Sequence, residues 1–458
     1  MDVCAIVLAA GDGQRMRSKR AKAAHRAAGK PLVRWVADAL AEAGVADAVF
    51  VVGHLADQVR EALGAGCACV VQEPRRGTGD AVRTAAGFLE GRTGTVLVLP
   101  GDTPLLRAET VRALAACREA TGAAAVVAAA KAPDAAGYGR IARGVDGCVE
   151  AVVEDEEASG AQRAIREVNA GMYAFEAEAL RGVLGRLEAR GPRGVNLADA
   201  IALLAADGQA VDACPVPCEE ILAVDDRVQL QQAAAALNRR ICEAHMRAGA
   251  TILDPATTWI EASVRIAPDA EILPGCSLEG ATEIGEDCVV GPSTRLRDAV
   301  LEPAVEADRT VVVGSRIGAR TYLGPFCYVR PGSTIGSDCR IGDFVEVKNA
   351  TIGHHTNAAH LAYIGDADLA DNVNYGCGSI TVNYDGAGKY RTTIGSGAFI
   401  GSNSNLVAPV TIADDAYVAA GSTITADVPS FALAIARGRQ EVKEGWVLKK
   451  GRVRKRKG

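Results

Sequence analysis

From residue 266 an aliphatic side chain recurs at every sixth position: Ile266, Ile272, Leu278, Ile284, Val290 and Leu296. The spacing holds again for Ile317, Leu323, Val329, Ile335, Ile341 and Val347, and for Ile394, Ile400, Leu406, Ile412, Val418 and Ile424. An α-helix repeats every ~3.6 residues and a strand every second residue, so neither gives a period of six. A coil built from short sides, each turning one aliphatic residue inward, does. The spacing therefore predicts a triangular parallel β-helix of hexapeptide repeats. Two stretches break the rhythm, RDAVLEPAVEADRTVVVGS (297–315) and SITVNYDGAGKYRTT (379–393). Both are expected to leave the solenoid as outward loops, where sites are often carried.

The chain begins in another rhythm. CAIVLAAG, AVFVVG, CACVVQ, TVLVLPGD and AAAVVAAA read as buried strands, and PLVRWVADALAEAG, DQVREALG, DAVRTAAGFL and TVRALAACREATG between them carry helical spacing. This alternation predicts a mostly parallel sheet flanked by helices, with ligands at the strands' carboxyl ends. DRVQLQQAAAALNRRICEAHMRAG then reads as a helical arm. At 458 residues the chain exceeds one typical core. The expected division is a first domain over 1–225, a linker over 226–250 and a second domain over 251–458.

The formal net charge of −6 argues against a nucleic-acid partner. Thirteen cysteines show no repeated Cys-x-x-Cys spacing, so a reduced, cytoplasmic setting is expected rather than a disulfide framework. The apolar opening is too short to span a bilayer and has no basic flank before it; neither membrane insertion nor a signal peptide is expected. The basic end, KKGRVRKRKG, reads as a solvated tail to which no function is attached.

The first strand runs into LAAGDGQRM. A dinucleotide fingerprint would need glycine where Met16 stands, and a P-loop would need Gly-Lys-Ser/Thr, which does not follow. What remains is a loop whose backbone approaches a nucleotide closely, followed by the cations Arg15 and Lys22. Two cations beside a triphosphate suit a reaction that expels pyrophosphate. A solvated surface loop is the plain alternative. Asp102, at the mouth of another strand in LPGDTPLL, is placed to hold Mg²⁺.

LAAGDGQRM, Lys22, GTG (77–79), GDTPLL, GYGRI and EVNAGMY together resemble the sugar-1-phosphate nucleotidyltransferases. Joined to the hexapeptide repeats, the chain resembles the bifunctional N-acetylglucosamine-1-phosphate uridyltransferases/glucosamine-1-phosphate acetyltransferases from residue 3 to about 448. The resemblance implies an α/β first domain with a Rossmann-like nucleotidyltransferase sheet, a helical arm and a left-handed parallel β-helix. In that family Leu8, Ala9, Ala10, Gly11, Gln72, Gly77, Thr78 and Gly101 would hold UTP. Arg15 and Lys22 would stabilise the pyrophosphate, and Gly139, Glu154 and Asn169 would bind the sugar. Asp102 and Asp225 would hold Mg²⁺, the latter where the family places asparagine. Further departures are Ala21 for a proline, Arg75 for a glutamine, Pro100 for a tyrosine, Asp155 and Glu156 for His-Lys, and Val195 in GVNLAD for part of a tyrosine-rich segment.

YVRPG, FVEVKNA, AHLAYIGD, VNYGCGSITVNYDG, FIGSNSNLVAPVTI, YVAAGSTIT and ARGRQEVKEGW follow the same family in order. The resemblance makes His360 the general base for acetyl transfer from acetyl-CoA to glucosamine-1-phosphate. Arg330 and Lys348 would meet the sugar phosphate, and Tyr363 and Asn374 would position the sugar. Cys377, Asn383, Tyr384, Ser402, Ala420 and Arg437 would contact acetyl-CoA, with Cys377 standing where alanine is usual. The product would be UDP-N-acetylglucosamine, a cell-wall precursor, made by a homotrimer. Three alternatives stay open here: acetyl transfer alone with an altered first half, a scaffold without chemistry, and zinc held by His354, His355 and His360.

Overall fold

The computed structural model describes residues 2–189 and 194–452; the last basic residues, 453–458, lie outside them. The chain divides into two compact units, Met1–Ile241 and Cys242–Gly458. The first is built on a sheet of strands β1 (Val3–Ala9), β2 (Ala48–Val52), β3 (Ala68–Val71), β4 (Thr95–Pro100), β5 (Ala125–Lys131), β6 (Arg140–Arg143), β7 (Val149–Val153), β8 (Glu167–Glu176) and β9 (Val211–Pro215). Its order is β9-β5-β8-β4-β1-β2-β3, with the hairpin β6–β7 joined to β8. The β1–β2, β1–β4, β2–β3 and β5–β9 pairs are parallel, and β8 runs antiparallel between β4 and β5.

Apolar clusters lie on both faces. One gathers Val7, Phe50, Leu97 and Leu99 with Val36 and Leu40 of helix Leu32–Glu42. The other gathers Ile6, Val51, Val96 and Val98 with Val82 and Leu180 from helices Thr78–Thr84 and Ala177–Leu184. Alternate residues of one strand thus face opposite layers, as the pleat requires. The first 15 residues of the long helix Arg227–Arg247 belong to this unit. Ala233 and Leu237 pack on Met16, Leu32 and Leu105, and Arg240 donates to the Leu105 carbonyl at 2.7 Å.

The second unit is the predicted β-helix. Short strands pair in parallel with the strand one coil on: Trp259 with Ser277, Arg265 with Glu283, Glu271 with Val289. The six-residue side chains Ile272, Leu278, Val290, Leu296, Val329 and Ile341 are fully buried. Each contributes about 1.5–3 kcal/mol by leaving water. Corner residues with positive φ include Asp269, Asp287, Asp298, Asp338, Asn349 and Asn372. Asn and Asp enter that region more readily than other side chains.

One expectation is corrected. Residues 297–315 do not leave the solenoid: Val300–Leu301, Glu306–Ala307 and Val311–Val313 pair with Glu283–Ile284, Val289–Val290 and Arg295–Arg297. Leu301, Ala307 and Val312 point inward and are buried. Some turns here are one residue shorter and one inward side chain is only a methyl, so the period is hidden without the coil being lost. The second stretch does project: after Ile380–Val382, an isolated bridge from Tyr384 to Lys389 closes a hairpin before Thr392–Ile394.

Candidate active sites

Leu8 pairs with Pro100, so the carboxyl ends of β1 and β4 lie side by side, and the Gly101 amide donates to the Leu8 carbonyl at 2.8 Å. This brings the loop Ala10–Gly13 beside Asp102. Gly13 has φ 60°, and a Cβ there would lie 2.7 Å from Lys22 Cβ. Glycine thus both permits the turn and lets Lys22 approach.

Lys22 Nζ lies between two carboxylates, pairing with Asp102 and, at 2.9 Å, with Asp225. The Val224 amide donates to the Asp102 carbonyl at 2.9 Å, which tethers the two acidic segments. Arg15 pairs with Asp225 at 3.0 Å. Burial alone would lower the Lys22 pKa, but the fields of Asp102 and Asp225 outweigh it and the net shift is upward. Burial would raise Asp225; Lys22 and then Arg15 hold it below the usual carboxylate range. Both expected leaving-group cations therefore pair here with the carboxylates expected to hold metal.

Buried Gln72 donates to the Gly77 carbonyl at 3.1 Å and to Asp80 at 3.0 Å. Thr78 donates to Asn196 at 3.1 Å and accepts from the Leu197 amide at 2.9 Å. Gly139, Glu154 and Asn169 converge: a Cβ on Gly139 would lie 3.5 Å from Glu154 Oε2 and 3.6 Å from Asn169 Cβ. Asn169 donates to the Tyr173 hydroxyl at 2.8 Å. Asn196 donates to Glu154 at 2.8 Å, so it joins the Thr78 group to the Glu154 group. Sequence reasoning missed Asn196; its only signal is that it is an amide in GVNLAD. Two departures from the family pattern are engaged locally. Asp155 accepts from the Gly137 amide and from Arg140, each at 2.8 Å, while Arg75 reaches Asp12 at 2.7 Å.

In the β-helix, the strand Arg340–Lys348 pairs along its length with Asn357–Gly365. The register sets Asp343 opposite His360, and His360 Nδ1 lies 2.8 Å from Asp343 Oδ1. That hydrogen bond is the first cause holding the Asp343 carboxyl below its ordinary range. Asp343 was also missed; it stands 17 residues before His360, about one coil.

Buried Asp366 organises the neighbouring cluster. It accepts from Lys348 at 2.9 Å, from Asn349 at 2.6 Å and from Asn383. Burial would raise its pKa, but these three partners hold it down. Asn383 also reaches the Tyr363 hydroxyl at 3.4 Å, and Arg330 pairs with Glu346 at 2.9 Å. Lys348, Tyr363 and Asn383 thus form one connected group, with Arg330 one coil from Lys348, its amide donating to the Val347 carbonyl at 2.8 Å.

Asn374 is placed separately, in register with Asn357 and Phe399. Cys377, Ser402 and Ala420 climb successive coils: Asn403 donates to the Cys377 carbonyl and Gly421 to the Ser402 carbonyl, both at 2.8 Å. Arg437 closes the series by donating to the Ala420 carbonyl at 2.8 Å. Tyr384 projects on the hairpin and is exposed. His354 accepts from the Ser337 amide at Nδ1, and among the described residues no group of three or more ligating side chains could hold a metal.

Three family models match stretches of the chain. Residues 5–172 match a MobA-like NTP transferase domain, 260–365 a GMPPB C-terminal domain, and 391–426 six bacterial transferase hexapeptide repeats. A bifunctional GlmU protein of Brevibacillus brevis is 50% identical over 438 residues, covering 95% of each chain. That of Acetivibrio thermocellus is 46% identical over 457 residues, covering 99% of each, and that of a Geobacillus species 46% over 445 residues, covering 97% of each. The nucleotidyltransferase sheet, the hexapeptide coils and near-full-length identity agree, and the chain belongs to the GlmU family of bifunctional uridyltransferase/acetyltransferase enzymes.

Proposed function

We propose that the residues around Lys22 carry uridylyl transfer from UTP to N-acetylglucosamine-1-phosphate, and that those around His360 carry acetyl transfer from acetyl-CoA to glucosamine-1-phosphate. The observation that carries the reading is the convergence of Asp102, Asp225, Lys22 and Arg15 at the carboxyl ends of β1 and β4. One ammonium between two carboxylates supports a cation position between their oxygens. Oxygen donors of this kind fit Mg²⁺. When bound by Asp102 and Asp225, the metal neutralises charge on the reacting phosphates.

The chain's own residues do the rest. The Leu8–Gly11 backbone and Gly101 receive the triphosphate, while Gln72, Gly77 and Thr78 hold the nucleoside. Gly139, Glu154 and Asn169 present the sugar. An oxygen of the sugar phosphate attacks the α-phosphorus, the bond to the β-phosphate oxygen breaks, and pyrophosphate leaves. Lys22 and Arg15 then turn from carboxylates to the departing charge. No protein nucleophile is needed, because the attacking phosphate is already ionised.

In the second reaction Arg330 and Lys348 hold the sugar phosphate, with Tyr363 and Asn374 on the sugar. Asp343 accepts Nδ1–H of His360 and leaves Nε2 free to take a proton from the glucosamine amine. The amine attacks the thioester carbon and CoA leaves as the thiol. Asn383 and Tyr384 close over the donor, and Cys377, Ser402, Ala420 and Arg437 line its course. The reading includes a homotrimer, supported by an exposed apolar ridge in which Phe326 stacks on Phe344, with Leu361 also exposed. It includes a cytoplasmic setting, supported by thirteen cysteines that are all unpaired. No helix among the described residues is long and apolar enough to cross a membrane.

The test supplies N-acetylglucosamine-1-phosphate, UTP and Mg²⁺ without acetyl-CoA and follows pyrophosphate. Release is expected, and Asp102→Ala is expected to abolish it while CoA release from glucosamine-1-phosphate continues. Pyrophosphate release undiminished in Asp102→Ala would remove that residue from the site.

A further inference from the structure

The segment Ser18–Lys22 has two sides. Lys22 turns to Asp102 and Asp225, and Ser18, Lys19 and Arg20 line part of a cavity of about 850 Å³. Its lining includes Lys19, Arg20, Arg26 and Arg227, set against a single carboxylate, Glu61. Arg15, Lys22, Asp102 and Asp225 do not line it. Four cations facing one acid is an unusual balance in a chain of net charge −6.

Among the described residues, Lys19, Arg20 and Arg26 have no ion-pair partner, although the first unit pairs many of its other arginines. Arg227 is held in place by neutral contacts: Nε donates to the Met16 carbonyl at 3.2 Å, and Nη1 lies 3.4 Å from His25 Nδ1. A guanidinium only donates, so that imidazole nitrogen accepts. Burial, then the charges of Arg227 and Arg20, lower the His25 pKa and favour this neutral form. Arg227 is thereby fixed, and among the described residues its Nη2 has no hydrogen-bond partner. Gln58 stiffens the opposite wall, accepting from the Ala21 amide at 2.8 Å and donating to the Lys19 carbonyl at 3.3 Å.

We propose that this cavity is a second anion site, built to take a small oligophosphate and separate from the site where uridylyl transfer occurs. Several unpaired cations on one concave wall select for multiple negative charge, and fixed guanidinium forks match phosphate oxygens. Pyrophosphate and the triphosphate of a free nucleotide share that chemistry.

The test titrates pyrophosphate into the full-length protein by calorimetry, beside an Arg20→Ala/Arg26→Ala variant, with UTP and inorganic phosphate as separate arms. Both substituted side chains are exposed and, among the described residues, without an ion-pair partner, so the fold should be unaffected; near-wild-type uridylyl transfer in the variant verifies this. The expected result is two pyrophosphates per wild-type chain, one of them weakened at least tenfold in the variant and the other unchanged. Inorganic phosphate should bind this second site more weakly than pyrophosphate. If UTP also fills it, the recognised unit is the polyphosphate; if only pyrophosphate does, it is the free diphosphate. One pyrophosphate per wild-type chain, or two that the variant leaves equally tight, overturns the proposal. Equal weakening of both also overturns it, because the cavity would then be part of the transfer site.

Discussion

His360 Nδ1 lies 2.8 Å from Asp343 Oδ1, across two strands that pair residue for residue. The carboxylate accepts the proton on Nδ1, so the lone pair that can take a substrate proton lies on Nε2. His360→Ala is expected to lower acetyl transfer by about 10²–10⁴-fold, the usual worth of a positioned general base. Asp343→Asn removes the charge while keeping the shape, and should lower kcat for acetyl transfer by a smaller factor with the KM for glucosamine-1-phosphate nearly unchanged. Uridylyl transfer should be untouched in both, as measured by pyrophosphate release. A loss confined to KM in Asp343→Asn would make it a binding residue instead.

The Lys22 triad predicts a pH window for stability. Asp225 has a lowered pKa, so its contribution is present above its unfolded value of about 4 and is lost as pH falls through the folded value. Lys22 has a raised pKa, so its contribution is complete below about 10.4 and is lost as pH rises through the folded value. Between about pH 4 and pH 10, Lys22→Met should destabilise the protein, by at most roughly 3–5 kcal/mol because the group is not fully buried. Without the ammonium, Asp102 and Asp225 face each other with only Arg15, paired to Asp225, to offset their charge. Mg²⁺ should then raise the thermal midpoint of Lys22→Met more than that of the wild type. Equal shifts would mean that Lys22 does not occupy the cation position.

Much of this architecture can be read from single side chains, and the gaps have physical reasons. The six-residue period announces the solenoid because one inward aliphatic residue per side is a strict packing demand. It fades at Leu301, Ala307 and Val312, where shorter turns shift the spacing and a methyl replaces a branched chain. Asp343 is invisible to local motif reading because its meaning depends on the length of one coil. Asn196 is hidden for a related reason, since it joins Thr78 and Glu154 only after distant segments fold together. Lys22 and Arg15 stand out in the sequence as cations that follow a glycine loop. Their pairing with Asp102 and Asp225 does not, because charges without their ligand find other partners.

The 2.7 Å pair of Arg75 with Asp12 joins the Ala10–Gly13 loop to the segment that carries Gln72 and Gly77. Both side chains are about 40% exposed (39% and 41%), so the pair should be worth only about 0–1 kcal/mol to stability. Its effect should lie in binding. Arg75→Gln leaves the Asp12 charge unscreened beside the triphosphate and should raise the KM for UTP several-fold with little change in thermal midpoint. Adding Asp12→Asn should restore the KM. Failure of that rescue would show that Arg75 acts on the nucleotide directly.

Gly365 makes room for Tyr363. A Cβ at that position would overlap the Tyr363 ring and its hydroxyl, which Asn383 contacts from Asp366. Gly365→Ala should therefore push the phenol away from the sugar position while the coil below remains paired through Lys348. A displacement near 1 Å at a positioned reactive group is worth about 10²-fold in rate. Acetyl transfer in Gly365→Ala is expected to fall by that order, with uridylyl transfer at the wild-type level. If Tyr363→Phe shows the same loss, the hydroxyl is the part that matters. A normal rate in Tyr363→Phe beside a slow Gly365→Ala would assign the effect to ring packing.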